Sequence, residues 1–485
     1  MKIARKVSSK YSALALSVLL IGGAVTVWAD SLVDNFGVRG ERITSSCVIQ
    51  GGVLTLPEVP PPPNTVSPAP CEGKVLALDA SPNARWSVDI SWFDPVTQKL
   101  YLADRNNGGV DIFDTKSETA VGLAGGFVGT NCPGTLNCLP APPANSAGPN
   151  GVLTTTRPHQ LWAGDGDGSI RVYSLDRSGL PTSNDPLRII SASETGALRR
   201  ADELAYDPDD QLILMAWDDD SDLFIALISV SPDPNNIKVV KQIYFRSPNP
   251  LGKPCPIGGC STGGIEQAVY DHGTRKFYLA VPASEGHPNG EIAVIDPRPN
   301  IMDVVDAFDT TGTDPAQGVP CFPHGLALGP RQNLLLGCSA DGGPGAQFIT
   351  IIMKATTGNV LKTFTQLGGS DEVWHNPGDN KYYLALSSWT STGTVSNPPN
   401  APSVSTPSLG IIDAGTSDSG DRGPQFIQNI LTTRTSHSVA AGFGFFDGNI
   451  VRKHAYVPLT TVPIPLSSTA TLNEPGGIGI YGRLP

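Results

Sequence analysis

A short motif that returns seven times along the chain limits the fold more tightly than any other feature of the sequence. Its copies are Asp89-Ile-Ser-Trp-Phe-Asp-Pro, Asp202-Glu-Leu-Ala-Tyr-Asp-Pro, Glu266-Gln-Ala-Val-Tyr-Asp-His, His324-Gly-Leu-Ala-Leu-Gly-Pro and Asp371-Glu-Val-Trp-His-Asn-Pro, with His159-Gln-Leu-Trp-Ala-Gly and His437-Ser-Val-Ala-Ala-Gly on the same plan. Each starts on a polar residue, runs through an apolar core and ends five residues later on Asp, Asn or Gly. A second apolar strand follows the turn, as in Lys99-Leu-Tyr-Leu-Ala and Lys276-Phe-Tyr-Leu-Ala. A third is often opened by Gly, as in Gly109-Val-Asp-Ile-Phe-Asp and Gly290-Glu-Ile-Ala-Val-Ile-Asp. Successive motif starts lie 43 to 70 residues apart. The shorter spacings match a four-stranded propeller blade, and the longer ones carry Pro/Gly-rich insertions. Seven first strands and seven third strands predict an all-β chain, a single seven-bladed β-propeller with four-stranded blades. The chain ends soon after its last third strand, so that blade needs an outer strand from elsewhere. Lys74-Val-Leu-Ala-Leu-Asp has the required alternation and is predicted to close the ring against Gly477–Tyr481. The uniform phase of the repeat argues against two smaller propellers.

The rest of the sequence agrees with this class. Gly (53) and Pro (44) supply many turns, and charged residues are only 16% of the chain. Strands that bury both faces leave charge to the loops. The formal net charge is −12. That leaves no basic stripe for phosphates and excludes nucleic acid as an expected partner.

Lys2, Arg5, Lys6 and Lys10 precede the apolar run Ala13–Val27, and Val27-Trp28-Ala29 fits a signal-peptidase site. The expected organisation is a signal peptide over 1–29, an N-terminal extension over 30–73 and the propeller over 74–485. The mature chain is expected to be secreted or periplasmic, with no membrane span after cleavage. All eight Cys follow the cleavage site, as an oxidising compartment would favour. Proximity suggests the pairs Cys47–Cys71, Cys132–Cys138, Cys255–Cys260 and Cys321–Cys338, although eight Cys allow 105 connectivities.

In a propeller the first strand of each blade lines the central channel. Aligned by phase, the seven motifs predict a ring of Asp89, His159, Asp202, Glu266, His324, Asp371 and His437 at one end of that channel. The chain has only seven His, and three fall in this phase. Neutral imidazoles suit Fe, Cu or Zn, so His159, His324 and His437 are the candidate ligands. Asp202, Glu266 and Asp371 are the candidate acid–base residues, and Glu203 and Glu372 follow two ring members. Water-filled, polar-lined channels with no bound metal meet the same description. Arg105, His287 and Trp389, in loops on the same face, are candidate substrate contacts. Asp-, Asn- and Gly-rich loops there also suit tight turns. No GxSxG elbow is present, and Gly325-Leu-Ala-Leu-Gly lacks the Lys-Ser/Thr of a phosphate loop.

Pro323-His-Gly-Leu-Ala-Leu-Gly-Pro and Gly290-Glu-Ile-Ala-Val-Ile-Asp-Pro resemble the YVTN/NHL-type repeats of seven-bladed propellers, over about residues 75–485. That broad group is similar in fold and includes lactonases, lyases, metal-dependent oxidases and proteins that only bind. Carotenoid-cleaving oxygenases in seven-bladed form hold iron with four His, against three here. The resemblance implies architecture and leaves reaction class open. Two expectations follow. One is a secreted metal-dependent enzyme that oxidises or hydrolyses a small organic molecule. The other is a non-catalytic secreted propeller that recognises an extracellular ligand.

Overall fold

The computed structural model describes residues 75–77 and 88–482, apart from 106–107, 118, 130–146, 198, 220–221, 312–319, 340–348, 388–407, 432–437, 447–449, 460–462, 468–469 and 474–476. The chain divides into Met1–Arg42 and Ile43–Pro485, and every described residue belongs to the second unit. The expected signal peptide and the boundary at residue 74 lie outside the described residues.

The fold is a β-propeller of four-stranded antiparallel blades. Six blades are formed by consecutive stretches of chain, each with its strands hydrogen-bonded in sequence order. The first contains Val88–Asp94, Lys99–Asp104, Gly109–Asp114 and Thr119–Gly125. The innermost strands of the next five are Val152–Thr156, Ala201–Asp207, Ala268–Asp271, Phe322–Gly329 and Val373–Asn376. A further four-stranded sheet joins the two ends of the described chain, in the order Val75–Ala77, Gly477–Gly482, Ile450–Leu459 and Ala440–Phe446. Val75 pairs with Gly479 and Ala77 with Gly477, antiparallel.

Alternation along the strands explains why the sheets stack radially. In the second strand of the third blade, Leu212–Trp217, all six residues are buried. Ile213, Met215 and Trp217 pack towards the second blade with Trp162 and Val172, whereas Leu214 and Ala216 pack towards the fourth with Phe277 and Leu279. The same division recurs in the fifth blade. Leu334 and Leu336 face the fourth blade, and Leu335 faces the sixth. A strand with period-2 geometry and two buried faces reads as a continuous apolar run. The core is therefore distributed over the seams between sheets.

The turn that ends each innermost strand is built by its terminal Asp or Asn. Asp94 accepts from the Val96 amide at 2.9 Å, Asp207 from Asp209 at 2.8 Å, Asp271 from Gly273 at 2.9 Å and Asn376 from Gly378 at 2.9 Å. Four residues beyond each of these, Gln98, Gln211, Arg275 and Asn380 adopt positive φ of 53–58°. These are Asx turns, the structural use of such residues.

One repeat is misaligned by the sequence motif. His159–Gly164 is the second strand of the second blade, paired with Val152–Thr156 through a turn of only Arg157 and Pro158. The innermost strand Val-Leu-Thr-Thr-Thr lacks the Asx terminus, so the apolar strand after it mimicked the motif.

Disulfides link Cys255 to Cys260 and Cys321 to Cys338, as proximity suggests. Cys47, Cys71, Cys132 and Cys138 lie outside the described residues. No helix among the described residues is long and apolar enough to cross a membrane.

Trp217 tests the seam principle. Its ring is fully buried, stacks on Phe224 with centroids 4.5 Å apart, and donates through Nε1 to the Gly168 carbonyl at 3.1 Å. Trp217→Ala is expected to lower unfolding free energy by about 3–5 kcal/mol in urea titration. Val96→Ala, at a residue 65% exposed, should change it by less than about 0.5 kcal/mol.

Candidate functional site

Three irregularities in strand pairing place charge at one end of the channel. The ladder between the first two strands shifts register between Val88 and Ser91 in the first blade, between Ala201 and Leu204 in the third, and between Pro323 and Gly325 in the fifth. These shifts bracket Asp89, Asp202 with Glu203, and His324. A bulge releases residues from strict alternation and re-aims their side chains. Two consecutive acids, Asp202 and Glu203, can thereby both lie buried beside the axis.

Guanidinium groups of the same chain neutralise part of this charge. Arg105 binds the Asp89 carboxylate and donates to Asn150 Oδ1 from Nε at 2.9 Å and from Nη2 at 2.7 Å. Arg200 pairs with Asp202 Oδ2 at 2.6 Å and reaches Asp218 at 3.4 Å. Asn150 stands at the start of the second blade, where a ring member was expected. The adjacent Gly151 is required there, because a Cβ on it would come within 1.5 Å of the Asp202 carbonyl oxygen. Gln267, on the fourth blade, accepts from Leu326 N at 2.6 Å and Val373 N at 3.3 Å, tying the innermost strands of the fifth and sixth blades.

The remaining carboxyl groups sit in each other's fields. Glu203 and Glu372, from the third and sixth blades, are buried and hydrogen-bonded side chain to side chain. Such a bond requires a proton on one of them. Burial pushes both far above the ordinary carboxyl range, and for Glu203 the Glu372 charge adds to this. Burial likewise raises Glu266, reinforced by Asp218 and Asp371. Asp202 is pushed up to about 7 by burial, with the Arg200 charge opposing the shift. His324 Nδ1 faces the Phe322 carbonyl at 3.1 Å, and its Nε2 lies 3.6 Å from Glu266 Oε1. Asp89, Asp202, Glu266, His324 and Asp371 therefore belong to one end of the channel, through strand phase and mutual electrostatics.

Other expected members stand elsewhere. His159 is at the turn end of its blade, with Nε2 3.1 Å from Asp94 Oδ2, which raises the imidazole pKa. Asp94 terminates the strand Val88–Asp94, near whose start Asp89 lies, so His159 is at the opposite end of that strand from the acidic cluster. The expected grouping of His159 with His324 is thus corrected. His437 and Trp389 lie outside the described residues. Ser438, next to His437, is buried and accepts from the Ser91 amide at 2.8 Å. Arg105 is committed to Asp89 and Asn150 within the cluster. His287 is in the loop after the second strand of the fourth blade, and its Nδ1 lies 2.7 Å from buried Glu291, which also accepts from Ser284 at 2.6 Å.

Sequence phase missed Asn150, Arg200 and Gln267, whereas Asp218 belongs to one of the Asp-rich loops expected on this face. Arg200 lies just before the strand Ala201–Asp207 with a positive φ of 31°, so strand alternation carries no signal for its place. Deeper along the same innermost strands, Trp92 and Trp374 meet edge to face with centroids 4.9 Å apart. Trp92 also donates to Thr154 Oγ1 at 3.0 Å.

No protein-family model matches the chain, and no curated protein matches it. Solved structures do. The structure of U3-55K matches at 10% identity with a TM-score of 0.50, covering 85% of this chain and 98% of that one. The WD40 repeats of RRP9 match at 10% identity and a TM-score of 0.50, covering 85% and 97%. At this identity the likeness defines the class alone, a β-propeller with four-stranded antiparallel blades.

The paired carboxyls set a pH dependence. A carboxyl whose folded pKa is raised binds its proton more tightly when folded. Stability is then greatest below the ordinary value of 4.5 and falls as pH rises towards the folded value. Glu203→Gln keeps a donor for Glu372 and removes one such proton. Thermal or urea unfolding between pH 5 and pH 8 should show a decline shallower than wild type by up to about 1.4 kcal/mol per pH unit.

Proposed function

We propose that this protein is a secreted, non-catalytic propeller that recognises an extracellular ligand through the acidic end of its channel. The observation that carries the reading is the commitment of the channel's charged groups to one another. Arg105 holds Asp89, Arg200 holds Asp202, and Glu203 holds Glu372. Such reciprocal pairing stabilises a fixed electrostatic surface. The two disulfides accord with an oxidising compartment.

A second reading is favoured by one specific feature. Asp202, pushed up to about 7, has the pKa of an acid–base group working near neutrality. In that reading the chain is a metal-dependent oxidase or hydrolase, with Fe, Cu or Zn held by His324 and His437 and with Asp202, Glu266 and Asp371 as acid–base groups. His159, at the other end of the channel, takes no part in it.

Metal analysis of the mature protein, purified without a His tag, separates the two. The binding reading expects Fe, Cu and Zn each well below one equivalent. One equivalent of such a metal, lost in His324→Ala while the fold persists, would overturn it in favour of the enzyme.

We also propose that the ring has seven blades and is closed by the N-terminal strand. Supporting this, the sheet containing Val75–Ala77 packs between the sixth and first blades, through Tyr383 with Ala441 and through Phe93 with Tyr456. In hydrogen exchange, amides of Val75–Ala77 should be protected like those of Gly477–Gly482. Exchange at the rate of an unstructured peptide in the first strand alone would contradict closure.

A further inference from the structure

The two arginines of the channel show which ligand chemistry this site accepts. Each places a planar guanidinium against carboxylates, Arg105 on buried Asp89 and Arg200 on buried Asp202 and half-buried Asp218. They do not exhaust the acceptors. Asp202 is 1% exposed, and its Oδ1 has no hydrogen-bond partner. A buried carboxylate oxygen left without a donor costs about 1–3 kcal/mol, more when charged. Its environment is the cluster itself, since its charge interacts with those of Asp89, Asp218 and Arg105. Glu266 interacts in turn with Asp218, Asp371 and Asp202. Among the described residues, seven carboxyl groups, Asp89, Asp202, Glu203, Asp218, Glu266, Asp371 and Glu372, share the space with two guanidiniums and His324. The donor missing among them is the one for Asp202 Oδ1.

The donor set suits an organic cation better than a metal ion. Among the described residues no three His, Cys, Asp or Glu side chains converge as a metal cluster. A planar or alkyl cation reaches acceptors several ångströms apart, and each N–H that it directs at a carboxylate forms a charge-assisted bond. Further along the same innermost strands, the half-buried Trp92 and Trp374 meet each other edge to face.

We propose that the acidic end of the channel binds an organic cation, a guanidinium or alkylammonium group, with Asp202 Oδ1 as a direct acceptor and Glu266 as part of the receiving carboxylate set. This rests on the reading of the protein as a binding propeller and names the chemical class of its ligand. Binding would draw a proton off the cluster, because an added positive charge favours ionised carboxylates.

Isothermal titration calorimetry of the folded mature protein with methylguanidinium chloride, at low ionic strength and pH 7, tests this. One site is expected, with net proton release seen as an apparent enthalpy that changes with buffer ionisation enthalpy. Asp202→Asn should weaken binding about tenfold or more. If Asp202→Asn unfolds, Glu266→Gln serves instead, with melting curves confirming that the variant is folded. A glycine-flanked arginine tripeptide binding more tightly than methylguanidinium assigns the cation to a polypeptide side chain, and the reverse assigns it to a small free cation. Both outcomes support the proposal. No methylguanidinium binding, equal binding by wild type and the folded variants, or displacement of methylguanidinium by equimolar calcium overturns it. These outcomes reject the ligand class alone, whereas a His324-dependent transition metal rejects the binding reading itself.

Discussion

Each blade in this protein must bury two faces, and that requirement governs the rest of the structure. A blade standing alone would expose one row of Leu, Ile and aromatic side chains on each side. Between neighbours, both rows disappear from water, at roughly 25 cal/mol for each Å² removed. The innermost strands thereby converge, and whatever their starts carry is brought together at one end. The convergence of Asp89, Asp202, Glu266 and Asp371 is a by-product of apolar packing elsewhere. Like charges are held near one another because the seams, rather than the charges, fix the geometry.

The structure manages that repulsion in three ways. Guanidinium groups from the same face enter the cluster, as Arg105 and Arg200 do. Some carboxyls retain protons, as the Glu203–Glu372 contact requires. The third way is neutral bridging. Asn150 accepts from Arg105, and Gln267 spans three blades by accepting and donating amide hydrogen bonds. A cluster balanced in this manner remains sensitive to any added charge, which is the property that a receptor for ions would use.

The architecture was legible because strand alternation and turn chemistry are local. The Asx turns at Asp94, Asp207, Asp271 and Asn376 could be read directly, and with them the phase of four innermost strands. The second blade escaped for the same reason. Its innermost strand ends on Thr156, without a side chain that caps the turn, and His159 opens a strand of similar pattern. A displacement of one strand reverses polarity in a meander, so an error of a few residues moved His159 to the far end of the channel. Which acids are neutralised was not legible. Asp89 and Asn150 lie 16 and 45 residues from their common partner Arg105, and Glu203 and Glu372 sit three blades apart. Those pairings depend on bulges that sequence alone does not mark.

The sheet that pairs Val75–Ala77 with Gly477–Gly482 contains Ala440, Ala441 and Gly442 in its strand Ala440–Phe446. A Cβ on Gly442 would lie 2.0 Å from the Phe93 ring, so the backbone is pressed against the first blade. With so little bulk between them, Trp92 and Trp374 reach past this strand and touch. The two indoles belong to the blades on either side of the sheet that joins the first and last described strands. Their contact is consequently an optical gauge of that join. In the closed ring proposed above, separation of Val75–Ala77 from Gly477–Gly482 would part the indoles and change both their exciton coupling and their emission, reporting mechanical failure of the ring from within its own chromophores.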